Sequence, residues 1–214
     1  MDAGAQVLHL HPYETTGLES LAAEACANAL RAVRAACPGI PISLTTSAEI
    51  EPDPRRRLEL AAGWTELPDL VTANQGEDGI LELCEHLIAR GVGIEAGLLS
   101  LADAETFVRA GVAGRCVRVL VEPLQAAPEE AFAEAAAMEE LLFGAGVPLE
   151  QVHHGDGVAS WPCPRERSRA GTASAPGSRI RRCCRTGSRP PDNAALVRAA
   201  AAMLTGRRQP GRLP

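Results

Sequence analysis

The chain has 214 residues, 46% of them hydrophobic, and a formal net charge of −6. That is enough apolar material for one sizeable core, and the acidity argues against a general nucleic-acid binder. No apolar run approaches the ~20 residues of a membrane span, and no basic stretch leads an apolar one as in a secretory signal, so a cytoplasmic protein is expected.

In chain order the body alternates. Strands are predicted over 5–11, 40–46, 69–74, 91–97, 116–123 and 149–155. Helices are predicted over 17–37, 53–64 with Pro54 near the start, 77–91 closed by Gly91, 101–111, 128–146, and 192–204 capped by Asp192. A βα unit recurring at roughly 25 to 35 residues is the pattern of a parallel sheet. Polar residues recur at the strand C-terminal ends: His9 and His11, Thr45 and Thr46, Asn74, Glu95, Glu122, His153 and His154. A TIM (β/α)₈ barrel puts its chemistry at that rim. An open doubly wound sheet is the alternative, but its Gly-rich phosphate loop after the first strand is absent. A barrel needs eight strands and six are visible. One is expected before Met1. The other is expected between the 149–155 strand and the final helix. The expected organisation is one incomplete barrel domain over 1–204, with an aberrant segment at 163–190 and a disordered tail at 205–214.

The seven cysteines are scattered and odd in number. Cys26 and Cys84 fall on apolar helix faces, and reduced thiols are expected throughout. Every basic residue is arginine. With the abundant Ala, Gly and Pro, this points to a gene rich in G and C.

"HLH" sets His9 and His11 two apart on a strand, so both side chains point to one face. Two imidazoles there can share a Zn²⁺, which commonly adds a carboxylate and keeps an open position. Alone, an HxH pair is a weak signal, and two polar strand-end residues with no metal fit it better; the carboxylates elsewhere on the rim strengthen the metal reading. Thr45 and Thr46 suit a strand end by propensity alone, or contact a ligand. Glu95, at the end of an apolar strand, points more strongly to function. His86 lies mid-helix and is expected at the surface. His154 serves the rim or its own loop.

The runs "GAQVLHLHP", "PISLTT", "GWTELPDLVTANQGEDG", "ARGVGIEAGL", "HHGDG" and "PDNAALVRAAAAML" resemble the β-keto acid cleavage enzymes, relatives of the 3-keto-5-aminohexanoate cleavage enzyme. The resemblance covers about 3–162 and 190–204. It implies a Zn²⁺-binding TIM barrel in which a β-keto acid and the co-substrate acetyl-CoA give acetoacetate and a new acyl-CoA. It implies His9 and His11 as metal ligands and Thr45, with Thr46 beside it, near the substrate carboxylate. Glu95 is implied as the acid facing the substrate, which pairs with an amine where the substrate carries one. Asn74 is implied on the next strand end. A homo-oligomer is implied, with no nucleic-acid or membrane partner. Tyr13 departs from the arginine that often follows HxHP in this family.

The family's last strand carries a glutamate ligand followed by an aspartate, in a run like R-x-G-L-E-D-T. Nothing in 156–192 matches it. Residues 163–190 instead hold 8 of the 21 arginines and one acid, Glu166. Reading the last base of each codon with the first two of the next offers an explanation. The Cys183–Cys184 junction must then encode Leu. The junctions from Gly171 to Gly187 permit H/D-S-I-R-T-G-L-E-D-T-T-V-L-P-D-G, and those over 162–171 permit V-P-A-R-A-V-A-R-G. The expectation is a pair of compensating frameshifts, with the normal frame resuming near Pro190. As it stands, the chain is expected to be impaired. The other readings are a different metal-dependent barrel hydrolase, or a non-catalytic binding protein using the basic segment. The identity of the β-keto acid is not readable from these residues.

Overall fold

The computed structural model describes residues 5–154, 173–174, 194–195 and 197–198. Six strands follow the predicted order: β1 (Leu8–Leu10), β2 (Ile42–Thr45), β3 (Leu70–Asn74), β4 (Gly93–Leu98), β5 (Arg118–Val121) and β6 (Glu150–His153). A two-residue strand, β7 (Ala173–Ser174), continues the sheet inside the arginine-rich segment. All neighbours pair parallel in the order β1 to β7. The strands alternate with helices α1 (Ala23–Ala36), α2 (Pro54–Ala62), α3 (Ile80–Ala89), α4 (Leu101–Ala110) and α5 (Pro128–Gly144). The result is a curled half-barrel, an incomplete TIM-like α/β fold. Among the described residues β1 and β7 do not pair, so the sheet does not close.

Side chains alternate between the two faces of each strand. The outward set is apolar and packs on the helices. Ile42, Leu44, Val71, Ala73 and Ile94 meet Leu21, Cys26, Leu30, Trp64, Leu83 and Leu87. Further along, Ala96, Leu98, Val119 and Val121 meet Phe107, Ala135, Met138 and Leu142. The inward set faces the concave side, where the site lies; it is mostly polar, with Leu70, Leu120 and Val152 among it.

The helix ends have local causes. At α2, Asp53 Oδ1 accepts from the Arg55 and Arg56 backbone N–H groups at 2.9 and 3.1 Å, with Pro54 in the first turn. At α4, Ser100 Oγ accepts from the Asp103 N–H, and Gly111 closes the end at φ 65°. The predicted helix over 17–37 starts at Ala23 instead. Gly17 takes φ 82°, and Tyr13 and Glu19 form an antiparallel bridge, so residues 13–19 make a small hairpin. The predicted start at 77 moves to Ile80 because Gly79 sits in the left-handed region at φ 70°. His86 is half-buried rather than superficial. Cys26 and Cys84 are buried and free on the helix faces. Burial pushes both thiols up to about 12, and that of Cys116 up to about 11.

Residues 194–195 and 197–198 are helical, within the predicted last helix. Otherwise the segment 163–190, the tail 205–214 and Cys163, Cys183 and Cys184 lie outside the described residues. Among the described residues no helix is long and apolar enough to cross a membrane.

Candidate active site

The inward residues of β1 to β5 hydrogen-bond to one another across the strands. His9 Nδ1 lies 3.1 Å from Ser43 Oγ and 3.3 Å from Thr72 Oγ1. Thr72 Oγ1 donates to Glu95 Oε1 at 2.6 Å, and Arg118 Nε–H donates to Glu95 Oε2. Strand register produces this row: His9 stands opposite Ser43, Thr72 opposite Glu95, and Glu95 opposite Arg118. Glu95 is only 4% exposed, so its charge needs these donors.

The Thr72 hydroxyl spends its hydrogen on Glu95, so toward His9 it is an acceptor. A hydrogen on His9 Nδ1 suits that contact, and the Ser43 hydroxyl can accept from it as well. His11 Nδ1 lies 2.9 Å from Glu19 Oε2, and a carboxylate also only accepts. In the neutral form with the hydrogen on Nδ1, each imidazole has Nε2 as its lone-pair nitrogen. A metal-binding histidine is oriented in the same way, its other nitrogen held by an acceptor. The two ring centroids are 5.2 Å apart. The pair therefore fits two ligands of a divalent ion. Among the described residues no group of three His, Cys, Asp or Glu side chains could hold a metal.

Glu19 reaches His11 because of the hairpin at 13–19. Its other oxygen accepts from the Tyr13 hydroxyl at 2.9 Å. At the rim, Thr45 Oγ1 accepts from the Ser47 N–H, whereas Thr46 Oγ1 donates to the Thr72 carbonyl at 2.8 Å. Both hydroxyls thus shape the β2 exit loop. Asn74 Nδ2 donates to Glu77 Oε1 at 2.8 Å, and the same oxygen accepts from the Ala48 N–H. Buried Arg57 lies 3.6 Å from the other Glu77 oxygen and donates to the Glu51 and Asp78 carbonyls. The loops after β2 and β3 are thereby tied together beside Asn74. A Cβ on Gly97 would come within 2.4 Å of Asn74 Oδ1, so a side chain there would displace the Asn74 amide. His154 Nδ1 lies 2.5 Å from Glu122 Oε1 at the ends of β6 and β5. His153 points to the opposite face, where Nε2 lies 3.0 Å from Glu139 on α5.

The structure brings His9, His11 and Glu95 to one face and sets Thr45, Thr46 and Asn74 on the neighbouring strand ends. Sequence reasoning missed Ser43, Thr72, Arg118 and Glu19. Counting back two residues from Thr45 and Asn74 would have found Ser43 and Thr72 on the same inward face.

Residues 1–113 match the family described as beta-keto acid cleavage enzyme. The chain belongs to that family. Within the matched β-keto acid cleavage span lie His9, His11, Thr45, Thr46, Asn74 and Glu95, whereas Arg118, Glu122 and His154 lie beyond it. No curated protein matches the chain. Among solved structures, a mandelate racemase/muconate lactonizing enzyme from Roseiflexus sp. is similar at 17% identity and a TM-score of 0.41. That match covers 72% of this chain and 41% of that protein, so the chain spans less than half of its length.

Proposed function

We propose that the chain is built for zinc-dependent β-keto acid cleavage, exchanging a β-keto acid with acetyl-CoA to give acetoacetate and a new acyl-CoA. The observation that supports this reading is the pair His9 and His11, each with Nδ1 at hydrogen-bond distance from a neighbouring side chain, in a chain of this family. These two residues would hold the ion, which supplies Lewis-acid polarisation of a carbonyl when bound. Glu95 faces the substrate from β4. Thr45 and Thr46 order the loop that receives the substrate carboxylate, and Asn74 borders it. A homo-oligomer belongs to the same proposal.

Two of the groups this chemistry calls for, the last-strand glutamate and aspartate, are absent from 156–192 as the chain stands. We propose that compensating frameshifts near codons 162 and 190 displaced them. Resequencing the DNA over codons 155–195 tests this directly. Zinc binding and acetyl-CoA-dependent acetoacetate formation are then measured on the chain as it stands and on one carrying the alternative-frame residues. Turnover by the second chain alone is expected. Product release without CoA would instead favour a hydrolase. Failure of both chains to bind zinc would overturn the proposal.

A further inference from the structure

We infer that Arg118 sets the substrate class: by pairing with Glu95 it cancels the charge on the concave face, so the preferred β-keto acid carries an uncharged side chain rather than an ammonium. This rests on the cleavage reading of the site.

Glu95 is the buried acid of the concave face, and a lone buried carboxylate attracts a cation. Here the cation is built in. Arg118 stands opposite Glu95 in register on the next strand, and its Nε–H donates to Oε2. The other oxygen already accepts from Thr72 at 2.6 Å. The Arg118 side chain is 19% exposed and that of Glu95 is 5%, so water screens the pair little. A substrate ammonium approaching Glu95 would therefore meet a second positive charge beside it, at a carboxylate whose two oxygens are both engaged. Its lost hydration would be replaced only in part, by the lone pairs left on a carboxylate already paired with Arg118. A methyl-ended chain meets neither cost. Arg118 thus acts through Glu95, as a specificity-determining residue that need not touch the reacting atoms. It lies outside residues 1–113, the part matched to the family, so the match does not assign it.

The test compares two ligands that differ by one group, 3-oxohexanoate and 5-amino-3-oxohexanoate. Their affinities for the zinc-loaded full chain are measured by calorimetry, for the unaltered protein and for Arg118→Met and Arg118→Lys. The unaltered protein is expected to prefer the uncharged ligand by about tenfold or more. Arg118→Met leaves Glu95 without its cation and is expected to narrow or reverse that ratio, while Arg118→Lys keeps it. A purely structural role for Arg118 would weaken both ligands alike and leave the ratio unmoved. A preference for the ammonium ligand in the unaltered protein overturns the inference, and needs no variant to fold. So does an unmoved ratio in a folded Arg118→Met. If neither ligand binds any of these forms or the chain carrying the alternative-frame residues, the cleavage reading itself falls, and the inference with it.

Discussion

The same strands carry two different kinds of order. On the outward face Ile42, Leu44, Val71, Ile94 and Val119 are held by shape, packed between the sheet and the helices. On the inward face His9, Ser43, Thr72, Glu95 and Arg118 are held by pairing, each bonded to a neighbour one or two strands away. The difference matters for what damage does. A packed face loses energy in proportion to what is removed and is not repaired by removing more. A paired face loses most when one partner goes and recovers when the second goes too.

The largest expected effect is on the packed face. Phe107→Ala empties a fully buried site between α4 and the sheet and should destabilise by about 3–5 kcal/mol. Denaturant unfolding measures it, and a second truncation at Met138 should cost more again. Arg118→Met comes next, at about 2 kcal/mol, because Arg118 keeps some solvent contact. Adding Glu95→Gln should restore part of that loss. If the double variant is as unstable as the sum of the singles, the inward face is packed rather than paired.

A pH titration separates the faces without mutation. Burial raises the Cys26 and Cys84 thiols from 9.0 to about 12. The folded chain therefore keeps its thiol protons at pH values where the unfolded chain releases them. Their stabilisation is complete below about pH 9 and is lost as pH rises toward 12, by ~1.4 kcal/mol per pH unit for each thiol. Replacing both with Ala should flatten that limb of the curve measured by denaturant unfolding.

Much of this architecture was legible from the residues. The six strands and five helices up to residue 154 follow from hydrophobic period, with Pro54 marking the start of α2 and Gly91 the end of α3. The hairpin at 13–19 was not legible, because Leu18 and Leu21 carry the apolar spacing of the following helix back to Gly17. Glu19 was hidden with it. Arg118 was hidden for another reason: as the first residue of β5 it looks like an ordinary solvated strand start, and only the register with Glu95 gives it a partner. Pairing across strands is long-range information that no local period contains.

The smallest expected change in stability is the most informative about the site. Thr72→Val keeps the shape of the side chain and removes one hydroxyl. That hydroxyl donates to Glu95 and lies 3.3 Å from His9 Nδ1, so the substitution cuts the inward row in the middle. The stability cost should be about 1 kcal/mol, since Glu95 keeps Arg118 and His9 keeps Ser43. The effect on metal affinity should be larger in proportion. His9 Nδ1 would retain only the serine as acceptor, and the Ser43 hydroxyl rotates, so the tautomer with Nε2 as ligand is less favoured. Losing such a supporting partner weakens metal binding by about 10-fold or more. Thr72→Ser, which keeps the hydroxyl, should bind zinc as the unaltered chain does. Equal zinc affinity for Thr72→Val and Thr72→Ser would mean that Ser43 alone orients His9, and that the row beyond it serves Glu95 only.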